Sequence, residues 1–325
     1  MLTEKLYCGI DISCETIDVC FQGSDGKFHS EVLSNDKKGF EQLLHFCSSS
    51  YHFVMESTGV YQLPLCFFLH RKKQSFSVVN ALQIKRYIQM HLERNKSDKK
   101  DARYICQYGI DHQPPQYEMP DSAYFECRSL NNAIHTLSAE ITAFKNKIHA
   151  QQKLALNNKI ILKTYKNIVQ NMQSEMKKLE EELDEKLKHW QPETMQLVQS
   201  IIGLGKRATA QLIIATQGFK TTESYQQLIS YAGLSPTEYS SGSSIRGRSR
   251  ICKKGGGQLR HTLYMCALNA KKTNPQCAQL FDRLVAKGKN KKLAIIAVCN
   301  KLLKQVFAVV KSGIPYDKNY LLKTA

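Results

Sequence analysis

The chain has 325 residues, enough for about two ordinary domains that each bury a core of their own, so a single small module is excluded. Lys and Arg number 46 against 28 Asp and Glu, a formal charge of +18 that favours a polyanionic partner, nucleic acid first, through release of condensed counterions. The 11 cysteines form no CxxC pair and no Cys/His cluster, no stretch reaches the roughly 20 uncharged apolar residues of a membrane span, and no N-terminal run reads as a signal peptide.

These features predict a cytoplasmic, nucleoid-associated protein without a zinc site or a membrane contact. His52 and His261 read as packing or surface residues rather than ligands.

In chain order, Leu6 to Ile12, Thr16 to Phe21 and Phe28 to Leu33 read as strands joined by turns such as Ser24-Asp25-Gly26. Phe40 to Cys47 reads as a helix, His52 to Ser57 as a buried strand, Tyr61 to Arg71 as a helix and Phe76 to Asn80 as another buried strand. Three hairpin-linked strands followed by alternating helix and strand predict a mixed α/β sheet with the layout of the RNase H and RuvC class.

Between residues 122 and 189 the pattern turns to long helices. Leu130, Ile134, Leu137, Ile141, Phe144 and Ile148 recur at alternating spacings of four and three, and Ile161, Tyr165, Ile168, Met172, Leu179 and Leu183 make a second seam. A helical coiled-coil arm is predicted, paired with another protomer or packed within its own chain. Pro114-Pro115 and Pro120 bound it on one side and Trp190-Gln191-Pro192 on the other. The expected domains are therefore 1–113, 114–191 and 192–325, the last mostly helical. In it, Ile201-Ile202-Gly203-Leu204-Gly205-Lys206 reads as the turn of a helix-hairpin-helix, or of a plain helix-turn-helix packing element.

Four carboxylates stand where acids are costly or purposeful. Asp11 ends the apolar run Tyr7-Cys8-Gly9-Ile10, and Glu56 ends Phe53-Val54-Met55, where burial demands a partner for the charge. In an α/β sheet such strand ends lie side by side at the ligand-binding edge. Ser97 is a candidate N-cap, and Asp98 and Asp101, three apart, share one face of the helix it starts. Converging carboxylates imply roughly two divalent cations, and hard oxygen ligands select Mg²⁺ or Mn²⁺ for two-metal phosphoryl transfer. Asp98 and Asp101 also suit a helix N-terminus electrostatically, without any metal. Asp18 and Asp25, in a strand and a turn, read as solvated.

From Tyr239 to Phe281 there is no acidic residue, while Arg246, Arg248, Arg250, Lys253, Lys254 and Arg260 crowd together, a pattern that favours phosphate contact over a solvated face. The loop Tyr239-Ser240-Ser241-Gly242-Ser243-Ser244 runs directly into these arginines. A serine there could attack phosphorus with arginines stabilising the transition-state charge, or could merely bind phosphate, and on chemistry alone Ser241 is no better placed than Ser240 or Ser243.

Taken together, Gly9-Ile10-Asp11, Glu56-Ser57-Thr58-Gly59, Lys96-Ser97-Asp98 with Asp101, and Tyr231-Ala232-Gly233-Leu234-Ser235-Pro236 leading to Ser240-Ser241-Gly242 resemble the DEDD, or Piv/MooV, transposases of insertion-sequence family one hundred and ten. The resemblance spans nearly the whole chain. It implies that Asp11, Glu56, Asp98 and Asp101 are the metal ligands of a RuvC-like domain, and that Ser241, immediately before the glycine, is the nucleophile that becomes linked to a DNA phosphate. It further implies donor and target duplex DNA as partners, a structured bridge RNA as guide, and a homo-oligomer, dimer or tetramer, in which the RuvC-like domain of one protomer faces the serine domain of another. The expectation is thus a recombinase acting through a serine-phosphate intermediate. The competing expectations are a RuvC-like junction nuclease that uses water, and a non-catalytic nucleic-acid-binding protein.

Overall fold

A computed structural model describes residues 6–23, 26–47, 50–57, 59–91, 97–154, 158–237, 240–241, 245–246 and 250–319. The chain divides into two compact units, Met1–Met119 and Pro120–Ala325.

The first unit begins with β1 (Leu6–Ile12), β2 (Thr16–Gln22) and β3 (Phe28–Ser34), followed by α1 (Lys37–Phe46), β4 (Tyr51–Glu56), α2 (Leu63–Arg71), β5 (Phe76–Val79), α3 (Ala81–Met90) and α4 (Asp98–His112). The five strands form one sheet in the order β3-β2-β1-β4-β5, with β1, β4 and β5 parallel and the two hairpins antiparallel. This is the mixed α/β sheet expected from the strand pattern. Helix α1 starts earlier than its apolar residues suggest because Asp36 caps it, accepting from the Gly39 amide at 2.9 Å.

Alternation along the strands separates two cores. Cys8, Ile10, Phe53 and Met55 face Phe40 and Leu43 of α1 and Leu65 and Leu69 of α2. The other face carries Tyr7, Cys20 and Val54 against Ile84 of α3 and Ala102, Ile105 and Cys106 of α4. His52 is wholly buried on this second face, hydrogen-bonded to Ser75 at 2.6 Å and Ser77 at 2.7 Å, as a packing histidine should be. The strap after α4 folds back onto the sheet: the Tyr117 amide donates to the Phe76 carbonyl, and Tyr117 and Met119 cover the first core.

Gly9 decides how close α4 comes. A Cβ there would lie 2.1 Å from the Cys106 nitrogen and 2.4 Å from the Ala102 carbonyl oxygen, so the helix backbone rests directly on the strand. Further along, Gly109 admits the Tyr7 ring, which would come within 2.8 Å of a Cβ. As β1 steps back from Gly9 to Tyr7, α4 steps forward from Cys106 to Gly109, so the two elements are antiparallel.

The second unit opens with α5 (Ser122–Lys153) and α6 (Lys159–Trp190), an antiparallel pair whose ends meet through Trp190 donating to Asp121 at 2.9 Å and Lys186 to Glu126 at 2.6 Å. After them come α7 (Pro192–Gln199), α8 (Lys206–Ala215), α9 (Tyr225–Tyr231), the two-residue strands β6 (Pro236–Thr237), β7 (Ser240–Ser241), β8 (Ile245–Arg246) and β9 (Arg250–Ile251), then α10 (Gly257–Thr273), α11 (Pro275–Ala286) and α12 (Lys291–Ser312). The long pair has its root in its own chain: Tyr124, Cys127, Ile134, Leu183 and Leu187 share a core with Met195, Ala210, Ile213 and Ile214. Towards the far end the seam continues through Phe144 edge-on to Tyr165.

Helix α12 is long and apolar enough by composition to cross a membrane, yet Val298, Cys299, Leu302, Leu303 and Val306 are fully buried in the helical core with α10 and α7. It is the central helix of that core.

Replacing Gly9 by Ala forces the Cβ into the α4 backbone, which cannot retreat as a flexible side chain could. The expected cost is about 3 kcal/mol or more, read as a lowered denaturant midpoint of the first unit. An unchanged midpoint would mean that α4 does not rest on β1.

Candidate functional site

Strand register assembles the acids. The parallel pairing Ile10 with Met55 places Asp11 and Glu56 on the next rung, at the C-terminal ends of neighbouring central strands. Both alternate with residues of the α4 face, Tyr7 and Gly9 in one strand, His52 and Val54 in the other, so both belong to that face. Because α4 lies antiparallel to β1 with Ala102 and Cys106 over Gly9, its first turn, with Asp98 and Asp101, overhangs the Asp11 end. Ser97 caps the helix as expected, accepting from the Lys100 amide.

The electrostatics follow from this crowding. Burial, and then the negative charges of Asp101 and Asp98, push the half-buried Asp11 carboxyl up to about 6, against a hydrogen bond from the Ile12 amide that favours its ionised form. Glu56 and Asp101 are likewise half-buried. The structure therefore draws Asp11, Asp98 and Asp101 into one electrostatic field and puts Glu56 at the adjoining strand end. Among the described residues, no three His, Cys, Asp or Glu side chains stand close enough to grip one ion.

Asp18, expected as a solvated strand residue, joins them. It pairs directly with Asp11 across the β1–β2 hairpin, is half-buried, and is raised by burial and by the charge of Asp98. The signal was present in the spacing: Asp11 and Asp18 are equidistant from the turn, so a tight hairpin must place them opposite each other. Asp25 lies outside the described residues.

The basic segment is built on a ladder. Pro236 pairs with Ile251 and Thr237 with Arg250, and the Thr237 hydroxyl donates to the Arg250 carbonyl at 2.9 Å. Beyond it Ser240 pairs with Arg246 and Ser241 with Ile245, so the backbone of Ser241 belongs to a narrow hairpin with Arg246 directly across from its neighbour. Arg248, Ser243 and Ser244 lie outside the described residues. At the foot of the ladder Arg250, Lys253 and Lys254 are exposed, and Lys253 adopts a left-handed backbone, φ 56°, while its amide donates to the Gly233 carbonyl. Arg260 is half-buried and donates to the Ala232 carbonyl at 3.1 Å, bracing the turn after α9.

Between α7 and α8, Gly203 turns with φ 103°, and a Cβ there would lie 2.7 Å from that of Ala270. Gly205 caps α8 without a side chain. The two cations that follow are engaged with the arm, Lys206 to Asp184 at 3.1 Å and Arg207 to Glu180 at 2.8 Å.

A mixed sheet with acids at its central strand ends, followed by a basic, largely helical unit, is an arrangement that suits a DNA transposase or recombinase. Residues 8–155 match the model of the DEDD transposases of IS110, and residues 195–282 match the transposase family IS116/IS110/IS902. The chain is 30% identical to the pilin gene-inverting proteins of Moraxella bovis and Moraxella lacunata, across 97% of this chain and 98% of each of theirs. It is 29% identical to an uncharacterized 43.6 kDa protein of the insertion element IS110 from Streptomyces coelicolor, across 37% of this chain and 30% of that protein. The chain belongs to the IS110 family of transposases, and it is a DNA-recombining enzyme.

The raised Asp11 carboxyl has a consequence for stability. Its folded value, about 6, lies above the ordinary 3.8, so the stability it contributes is present below about pH 4 and lost as pH rises through 6. In chelated buffer, Asp11→Asn should equal the wild type near pH 4 and exceed it above pH 7 by about 1 to 2 kcal/mol, the screening of a half-buried group by solvent included. Thermal melts of both proteins across that range are the check, and parallel curves would remove the crowding of charge inferred around Asp11.

Proposed function

We propose that this chain is the site-specific recombinase of an insertion sequence, cutting and rejoining DNA strands through a phosphoserine at Ser241 with a divalent-metal site formed by Asp11, Glu56, Asp98 and Asp101. The observation that carries the reading is the convergence of Asp98 and Asp101 on Asp11, in a chain that aligns from end to end with gene-inverting proteins. Reciprocal strand exchange, leading to insertion or inversion of a DNA segment, is the reaction class that follows.

The donor set suits a hard cation. Each member is a carboxylate, and their mutual repulsion is what a divalent ion relieves, drawing together side chains that otherwise stand apart. Mg²⁺ or Mn²⁺ bound there supplies positive charge to the scissile phosphate and its attacking and leaving oxygens. The four acids hold and orient that charge. Arg246, Arg248, Arg250, Lys253 and Lys254 align the phosphate backbone beside the serine hairpin, with Arg260 stiffening its base.

In the first step the Ser241 Oγ attacks phosphorus, its proton leaves to solvent, and the bond from phosphorus to the 3′ oxygen breaks; that oxygen takes up a proton as a 3′-hydroxyl. In the second step the 3′-hydroxyl of the partner strand attacks the phosphoserine, the phosphorus–Oγ bond breaks, and the serine regains a proton. Each step exchanges one phosphoester for another, so no high-energy cofactor is consumed. A structured guide RNA beside donor and target DNA is what the family resemblance implies, and the net charge of +18 suits polyanionic partners in general. The working form in this reading is a homo-oligomer, a dimer or tetramer.

Ser241→Ala should keep nucleic-acid binding and lose strand exchange, while Ser240→Ala should be much milder. Denaturing a wild-type reaction should leave protein covalently joined to a DNA 5′ end. Ordinary cleavage by Ser241→Ala would assign the nucleophile to water and make the chain a resolvase-like nuclease. Asp11→Asn and Glu56→Gln should each abolish recombination and the heat of Mg²⁺ or Mn²⁺ binding in calorimetry; full recombination by either would remove the metal-site assignment.

Replacing Arg246, Arg248 and Arg250 together by Gln should flatten the salt dependence of DNA binding by roughly one unit of log slope for each phosphate no longer neutralised. An unchanged slope would mean that these arginines do not touch phosphate.

A further inference from the structure

Within the second unit a cavity of about 310 Å³ opens between α5, the end of α8, α9 and the start of α10. Its lining includes Arg128, Asn131, Gln211, Tyr231, Gly256 and Gln258, and no acidic residue. Gln211 is only 7% exposed, yet its Oε1 is buried with no hydrogen-bond partner among the described residues. A buried amide oxygen left unpaired carries its full desolvation penalty, which folded proteins seldom bear without a ligand or water to meet it.

Independent features point to the kind of ligand. Tyr231 is 51% exposed for so large a ring and walls the same cavity, offering a flat face to an aromatic guest. The 17-residue helix α10 begins there at Gly256 with no side-chain cap, which leaves its first amides to bind an anion. Arg128 adds a cation, close enough to Tyr231 to oppose the rise that burial gives the tyrosine hydroxyl. The cavity continues into a second one of about 490 Å³ that shares Asn131, Gln211 and Gln258 and runs along α5 past His135, Ser138 and Thr142.

We propose that this cavity receives one unstacked nucleotide of a bound nucleic-acid strand, with its base on Tyr231, its phosphate at the α10 N-terminus and Arg128, and a hydroxyl or base N–H donating to Gln211 Oε1. The volume suits a single nucleotide, and the polar continuation along α5 suits the strand on either side of it. The cavity also borders the foot of the serine hairpin, since the Gly256 amide donates to the Tyr231 carbonyl and the Lys253 amide to the Gly233 carbonyl. A strand held here is anchored beside the chain segment that carries Ser241. The proposal rests on the recombinase reading for its strand, but it has a separate readout.

The test is equilibrium binding, by fluorescence anisotropy, of unpaired 12-mers of thymidine and of uridine to the full-length protein. Tyr231→Ala and Gln211→Leu should each weaken binding by roughly 5- to 100-fold, the range expected when one base stack or one hydrogen bond is removed. Gln211→Leu removes an unpaired buried oxygen, so its melting temperature should hold or rise while affinity falls; a glutamine that served only packing would show the reverse. Tyr231 is half-exposed, so its alanine variant tests the cavity even if the Gln211 variant fails to fold. Tighter binding of uridine than thymidine, with the preference abolished in Gln211→Leu, would assign the donor as a ribose 2′-hydroxyl and the strand as RNA; equal binding would leave the base N–H as donor and the strand as DNA or RNA alike. Binding by both variants within twofold of wild type would overturn the proposal. Oligonucleotide binding involves no strand cleavage or exchange, so failure of the phosphoserine test and failure of the cavity test are told apart.

Discussion

The arrangement of the acidic site depends on one contact, the backbone of α4 lying on Gly9. Two residues along β1 from Gly9 to Asp11 advance about 6.6 Å, and four residues back along α4 from Ala102 to Asp98 advance about 6 Å. With the two elements antiparallel and touching at Gly9, equal steps bring Asp98 and Asp101 over Asp11. Any side chain at position 9 lifts the helix and separates the carboxylates. The same contact fixes the other end, where Tyr7 fills the space left by Gly109.

A site assembled in this way is strained by its own charge. Asp11 is raised by burial and by its neighbours, and Asp18 across the hairpin sits in the same field. Such strain is typical of functional sites, where stability is surrendered for a constellation that only a ligand completes. The packing that bears it is extensive: Cys8, Ile10, Phe53 and Met55 below the sheet and Ile105 and Cys106 above it are fully buried.

In the second unit charge is sorted rather than crowded. Acids of α6 occupy Lys206 and Arg207 at the start of α8, while residues 239–281 hold no acid at all. Exposed ion pairs of this kind contribute at most about 1 kcal/mol each, so it is the apolar root around Leu183, Leu187 and Ile213 that holds the arm to α8. At the serine ladder, by contrast, Arg250, Lys253 and Lys254 are exposed.

The strands of the first unit were legible from sequence because alternation and hairpin spacing are local: β1 spans the predicted residues, and β2 to β5 differ from their predicted ends by a residue or so. The helix bearing Asp98 and Asp101 was legible from its serine cap, and the acid-free basic stretch from composition alone. What only the tertiary structure decided is which side chains meet. Whether the heptad seams of the arm pair with each other or with another chain is open to a one-dimensional pattern, because an apolar stripe does not name its partner. In the folded chain the root of that stripe packs on α7 and α8. Asp18 read as solvated because its neighbours in sequence are uninformative, while its neighbour in space is Asp11, seven positions away across a turn. Gln211 is similar: a glutamine among the other polar residues of α8 gives no sign of a cavity, which exists only because α5, α9 and α10 converge on it from far apart in the chain. Periodicity is a property of neighbouring residues and survives in the sequence, whereas convergence is a property of packed surfaces and does not.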